Sequence, residues 1–226
     1  MKVRDLHEWP STPEEAEAIQ DRLRPLLHLD VPGPTTPRTV AGLDVSYAGD
    51  GTGARLAAAV VVLDATTLEV IEESVATGTA TFPYLPGLFA FRELPTLLAA
   101  LNDLTTTPDL LVCDGFGVAH PRRFGLACHL GVLTDLPTIG VGKTAFIGTH
   151  TDPGPRRGDT SPLLDEDETI GRVLRTQHNV RPVFVSVGHR TDLDTACRNV
   201  LDLTPRYRLP ETTRRADRLS RDALAG

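Results

Sequence analysis

Three apolar stretches, residues 39–47, 54–63 and 68–77, follow one another with only short gaps between them. The gaps, Ala48-Gly49-Asp50-Gly51-Thr52-Gly53 and Asp64-Ala65-Thr66-Thr67, have turn composition. Apolar runs of strand length punctuated in this way predict an antiparallel meander. The middle run, Ala57-Ala58-Ala59-Val60-Val61-Val62, fits a buried strand.

The pattern then changes. Residues 88–104 read as a helix in which Pro95 marks a kink or a late start. Residues 109–113 read as a strand, 122–133 as a helix, 138–141 as a strand, 183–187 as a strand and 193–203 as a helix. Strands alternating with helices imply a partly parallel sheet covered by helices. Upstream, residues 12–28 read as a helix. Ser11 or Thr12 can cap it, Pro13 suits the first turn, and Glu14, Glu15 and Glu17 sit near the positive end of its dipole. Residues 31–38, with three prolines, read as a connector. Residues 148–168 are polar, acidic and rich in Pro and Gly, and read as a mobile loop.

The 226 residues, 40% of them hydrophobic, suit one globular domain over 1–226, and two small domains are also compatible with this length. No apolar run approaches the roughly 18 residues of a membrane span. The charged opening Met1-Lys2-Val3-Arg4-Asp5-Leu6 lacks the apolar core of a signal peptide, so a cytoplasmic location is expected. Cys113, Cys128 and Cys197 form no CxxC pair and read as reduced, buried thiols. The net charge of -7 argues against a generic phosphate binder. The charge is uneven, however. Asp165-Glu166-Asp167-Glu168 is an acidic block, while Arg122-Arg123, Arg156-Arg157 and Arg214-Arg215 are basic pairs, so a local basic groove is compatible with the acidic whole.

Two carboxylates stand in apolar strands. Asp44 lies within Val40-Ala41-Gly42-Leu43-Asp44-Val45, and Asp114 follows Leu110-Leu111-Val112-Cys113. A buried carboxylate must be paired, hydrogen-bonded or bound to a cation. Strand ends in open α/β sheets are also where ligands commonly bind. Oxygen ligands with open positions suit Mg²⁺, and Mg²⁺ with carboxylates suits phosphodiester hydrolysis. Taken singly, each acid could equally cap a turn or a helix. Glu93, on the helix that follows the meander, reads by itself as a solvated helix acid.

Asp114-Gly115-Phe116-Gly117-Val118-Ala119-His120-Pro121-Arg122-Arg123 sets glycines, a histidine and two arginines between a strand and a helix, which can bind phosphate. A surface loop with a satisfied histidine is the plainer alternative. Gly140-Val141-Gly142-Lys143-Thr144 hints at a nucleotide-triphosphate loop. That pattern needs a glycine five positions before Gly142, where Pro137 stands, so an ATPase is excluded. Lys143 is left as a lysine able to meet a phosphate.

Together, AGLDVSY at 41–47, FPYLPGLFAFRE at 82–93, CDGFGVAHPRRFGLACHLGVLTDLPTIGVGKT at 113–144, PVFVSVGHRTDLDTA at 182–196 and LPETTRRADRLS at 209–220 resemble the endonuclease V family. The resemblance implies a ribonuclease H-like α/β fold: a mixed five-stranded sheet, antiparallel in its first half, flanked by helices. It implies Mg²⁺, with Mn²⁺ as a substitute, held by Asp44 and Asp114 with Glu93 as a third acid, and Lys143 near the scissile phosphate. It implies a strand-separating wedge at Pro83-Tyr84-Leu85-Pro86. Nucleic-acid contacts fall to Gly115, Gly117, His120, Arg122 and Arg123, and His189 and Asp217 are further residues around the site. The implied activity is nicking of DNA at the second phosphodiester 3′ to deoxyinosine, leaving 3′-hydroxyl and 5′-phosphate ends, by a monomer with no membrane partner. Inosine-containing RNA is an alternative substrate, and a non-catalytic binder of distorted nucleic acid is an alternative class. Phe116, where the family more often has a polar residue, and Thr212, in place of a usual proline, depart from the pattern.

Overall fold

The computed structural model describes residues 3–49 and 51–226; Met1 and Lys2 of the charged opening, and Asp50 of the first turn, lie outside them. Strands β1 (Thr39–Ala48), β2 (Arg55–Asp64) and β3 (Val70–Thr79) form the expected meander, with β1 pairing β2 and β2 pairing β3 antiparallel. β4 (Leu110–Asp114) joins the other side of β1 in parallel, and β5 (Thr138–Gly142) joins β4 in parallel. This is the ribonuclease H-like core, antiparallel first and parallel after.

The sheet is larger than the expected five strands. β6 (Thr160–Asp165), β7 (Glu168–Leu174) and β8 (Val183–His189) extend it to eight, in the order β3-β2-β1-β4-β5-β8-β7-β6. The stretch 148–168 is therefore not a mobile loop. It carries β6, bridges Thr149 to Leu164, and turns into β7 at the acidic block. Pro162 is tolerated because β6 is the last strand of the sheet, where a missing N–H can face away from the ladder.

Helices cover both faces. α2 (Phe89–Asn102) and α3 (Leu126–Thr134) bury Leu94, Leu97, Leu101 and Leu130 against Leu43, Val60, Val62 and Leu111. On the other face, α4 (Leu193–Asp202) and α5 (Glu211–Ala225) meet Val61, Val112, Val141 and Val185 through Ala196, Val200 and Ala216. α1 (Pro13–Leu23) lies outside α3, held by Ala16, Ile19 and Leu23. Its N-terminus is a capping box between Thr12 and Glu15. α2 starts before Pro95 and continues past it, and α3 starts only at Leu126, after Arg123 has taken a left-handed conformation at φ +53.

α5 reaches the sheet through small and short side chains, Thr212, Thr213, Ala216 and Ser220. The approach is so close that a Cβ on Gly42 would lie 2.2 Å from the Thr212 carbonyl carbon. Glycine is required there for contact rather than for conformation. The close packing brings the inward face of α5 down onto the middle of β1, where Asp44 stands.

Candidate active site

Strand parity decides where the acids point. Positions 42, 44 and 46 of β1 face α5, and 41, 43 and 45 face α2. Asp44 therefore meets α5, where the Ser220 hydroxyl donates to its Oδ2 at 2.7 Å, and Ser46 Oγ lies 2.8 Å from Ser220 Oγ. Leu43 pairs with Cys113, so Asp114 comes out beside Asp44 at the end of β4. Lys143, the residue after β5, places Nζ 2.5 Å from Asp114 Oδ2. Glu93 enters from α2, and the Tyr47 hydroxyl donates to its Oε1.

The electrostatics match this crowding. Burial pushes Asp44 up to about 6, against the Ser220 hydrogen bond, with the charges of Asp114 and Asp217 adding to the rise. Burial raises Glu93 to about 7, against the Tyr47 hydrogen bond, with Asp44 and Asp114 adding to it. Burial alone would lower Lys143, yet the hydrogen bond to Asp114 and the charges of Asp114, Asp44 and Asp217 raise it. Four carboxylates thus share one field with Lys143; Asp217, from α5, belongs to the group and is also paired with Arg221 at 2.7 Å, and the Arg92 charge acts on Glu93. Among the described residues no three His, Cys, Asp or Glu side chains close around one point, so the cluster is open. Its donors are all oxygen and its negative charge exceeds its positive charge, which is what a hard divalent cation fits.

A carboxyl with a raised folded pKa contributes stability that is complete below the ordinary carboxylate range and is lost as pH rises through the folded value, here about 6 for Asp44. In metal-free protein, Asp44→Asn is therefore expected to gain roughly 1–3 kcal/mol of unfolding free energy over wild type at about pH 8 and little at about pH 4. Melts at both pH values in EDTA check this. An equal gain at both would assign the effect to packing rather than charge.

Two of the acids, Glu93 and Asp114, line a cavity of about 230 Å³ together with Phe89, Phe116, His120 and Phe146. The segment Pro83-Tyr84-Leu85-Pro86 leads into the lining at Gly87, as a rim fixed at both ends. Buried Arg92 donates to the Phe82 carbonyl at 2.8 Å, and the Gly87 carbonyl accepts from Gln20 Nε2 at 2.9 Å and His120 Nε2 at 2.8 Å. Between these anchors Tyr84 is 52% exposed, and its ring lies 4.3 Å from that of Phe89.

His120 is engaged on both nitrogens. Nε2 donates to Gly87, Nδ1 accepts from the Arg122 amide at 3.1 Å, and burial lowers its pKa to about 4. It is a neutral strut beneath the rim. Gly115 has φ +150, and a Cβ at Gly117 would meet the Val187 carbonyl oxygen at 1.9 Å, so both glycines let this loop lie flat on the sheet.

The two arginines do not form a free basic surface. Arg122 pairs with Glu17 and, at 2.9 Å, with Asp21, while Arg123 pairs with Asp165 at 2.7 Å and Glu168 at 2.8 Å. Arg123 thereby ties the acidic β6–β7 turn to the loop after β4. His189 lies away from the acids. It pairs with Thr138 at the start of β5, whereas Asp114 pairs with Val141 near its end, and its ring contacts Asp135 and the His28 amide.

Several participants had no sequence signal of their own. Tyr47, Ser46 and Ser220 hold the acids, Phe146 lines the cavity, and Arg208 donates to the Lys143 carbonyl at 2.5 Å. Only the strand and helix registers bring them together.

Comparison with known proteins agrees over nearly the full length. A family model, Endonuclease V, matches residues 22–218. Endonuclease V of Streptomyces avermitilis is 61% identical over 218 residues, covering 96% of this chain and 94% of that protein. The crystal structure of Endonuclease_V from Bacillus subtilis has a TM-score of 0.93 at 32% identity, covering 100% of this chain and 98% of that one. Ciona intestinalis Endonuclease V, crystallised with a 24mer DNA containing an inosine followed by a ribo-adenosine, has a TM-score of 0.79 at 26% identity, covering 94% and 97%. Matched in sequence and in fold from its first helix to its last, the chain belongs to the endonuclease V family.

Proposed function

We propose that this protein uses Mg²⁺ to hydrolyse a DNA strand beside a deaminated base, at the second phosphodiester on the 3′ side, leaving 3′-hydroxyl and 5′-phosphate ends. The observation that carries the reading is that Glu93 and Asp114 line the same cavity as Phe89, the ring against which the exposed Tyr84 rests. A site for an extruded base and a site for phosphate chemistry are thus one continuous surface. The Ciona relative holds inosine-containing DNA, which supports the substrate class, and the family resemblance supports the position of the cut.

Asp44, Asp114 and Glu93 are the residues that would hold the ion. Bound Mg²⁺ supplies Lewis-acid stabilisation of the phosphate and a lowered pKa for the attacking water. The chain supplies the rest. Ser220 and Tyr47 fix the orientation of Asp44 and Glu93. Lys143 can leave Asp114 for a phosphate oxygen, and Arg208 holds its backbone in place.

The cavity also has a chemical reason to prefer deaminated bases. α2 and α3 both begin on its lining, at Phe89 and Leu126, and neither start has a side-chain cap, although the Phe91 and Ala127 amides already donate to the Leu88 and Phe116 carbonyls. Uncapped first-turn N–H groups are donors at the positive ends of helix dipoles. Deamination replaces an exocyclic amino donor with a carbonyl acceptor, so a donor-lined site accepts hypoxanthine and leaves the amino group of adenine unpaired.

The test is nicking of matched duplexes bearing inosine or adenosine, with products sized against markers. Cleavage of the inosine strand alone, one nucleotide beyond the lesion's own 3′ phosphate, is the expected result. Intact inosine strands, or a free base released from an intact backbone, would refute the proposal. An inosine-containing RNA strand in the same assay decides the sugar preference.

A further inference from the structure

Phe116 and Phe146 form a stacked aromatic pair, with ring centroids 5.6 Å apart and planes 26° from parallel. Both line the cavity beside the acids, and Phe146 also packs 5.7 Å from the His120 ring. Phe89, against which Tyr84 rests, lines the same cavity. An aromatic path therefore leads from the exposed rim into the cavity and ends on this pair.

The glycines on β5 exist to admit Phe116. A Cβ at Gly142 would lie 2.5 Å from the Phe116 Cε1, and one at Gly140 would lie 2.7 Å from the Phe116 carbonyl carbon. Phe116 also packs on the small core of Ala119, Leu163, Ile170, Val173 and Phe184, so its backing is solid. Phe146 lies three residues after Lys143, on the same short segment.

We propose that Phe116 and Phe146 are specificity-determining residues: they form the stacking wall of the base cavity and favour a two-ring base over a one-ring base or an empty site. The inference rests on the base-extrusion reading above. Stacking is tolerant of edge chemistry because every base has a π-face, and its strength grows with the ring area covered. The wall thus sets how large the base must be, while the helix-start amides read its edge.

The experiment measures equilibrium binding in EDTA, on duplexes carrying inosine, uracil or an abasic site at one position. Phe146→Ala is expected to weaken inosine binding roughly 5- to 100-fold, to weaken uracil binding less, and to leave abasic binding unchanged. Phe146→Tyr should restore the wild-type preference, because it keeps the ring. Phe146→Leu should not, because it keeps the volume without the π-face. Phe116→Ala disturbs the core behind it, so Phe146→Leu is the variant that isolates stacking.

Equal losses on all three duplexes, or an unchanged inosine-to-abasic ratio in Phe146→Leu, would overturn the wall. The two readings fail separately. A wild-type protein that binds with this preference but does not nick in Mg²⁺ would sink the endonuclease proposal and leave the wall standing.

Discussion

Asp44→Ala and Asp114→Ala are each expected to lower Mg²⁺-dependent nicking by on the order of 10²–10³-fold or more, while binding of inosine-containing duplex stays measurable. Each substitution removes one of the oxygen donors that the geometry offers to a cation, and water restores the contact but not the charge. The neighbourhood sharpens the expectation. Asp114 is also the partner of Lys143, so its loss frees the lysine, and Asp44 is the acceptor for Ser220. Asp44→Asn keeps the shape and the Ser220 contact, and should fail for want of charge. Misfolding is a poor explanation for that variant, because Asp44 is held up at about 6 by burial and neutralising it relieves strain in metal-free protein. Near-normal turnover by either alanine variant at moderate Mg²⁺ would remove these residues from the metal site.

Tyr84→Ala is expected to weaken binding to inosine-containing duplex roughly 5- to 150-fold, as the loss of about 1–3 kcal/mol of base stacking. The residue is exposed, yet its backbone is not free. Arg92 fixes the carbonyl of Phe82 before it, and Gln20 and His120 fix that of Gly87 after it. A ring on so short and well-anchored a span can replace a departing base at little entropic cost. Tyr84→Phe should be mild, because the ring does the stacking. The acids are untouched, so cleavage at saturating enzyme should survive far better than in Asp44→Ala. The loss should shrink on single-stranded substrate, where no duplex has to open. Equal loss on single and double strands would make Tyr84 an ordinary stacking contact, and no loss on either would make it a plain loop aromatic.

The elements legible in the sequence were those with large apolar side chains in regular spacing. The meander, β4, β5, β8 and α4 all lie within a few residues of where their patterns place them. What escaped was built from other material. α5 buries threonines, an alanine and a serine, so it carries no apolar stripe, although its fit against Gly42 is among the closest in the molecule. β6 has the composition of a loop because an edge strand accepts Pro162 and a charged turn.

The site shows the same division. Asp44 and Asp114 could be singled out because a carboxylate in an apolar strand needs a reason, whereas Glu93 looks like any helix acid until Tyr47 is seen against it. Arg122 and Arg123 read as a phosphate surface because the sequence does not reveal their partners. Glu17, Asp21, Asp165 and Glu168 come from remote parts of the chain and occupy both guanidinium groups. His189 falls at the opposite end of β5 from the acids, a separation that only the antiparallel register of β8 defines.

The most direct measurement is nicking of a duplex with one inosine, at fixed enzyme, in EDTA and then across a Mg²⁺ titration. A cation-bearing carboxylate cluster beside a base cavity predicts no product in EDTA, a saturable rise with Mg²⁺, and a single cut on the 3′ side of the inosine. Cleavage that persists at full rate in EDTA, or none at any Mg²⁺ concentration with the inosine duplex bound, would contradict it.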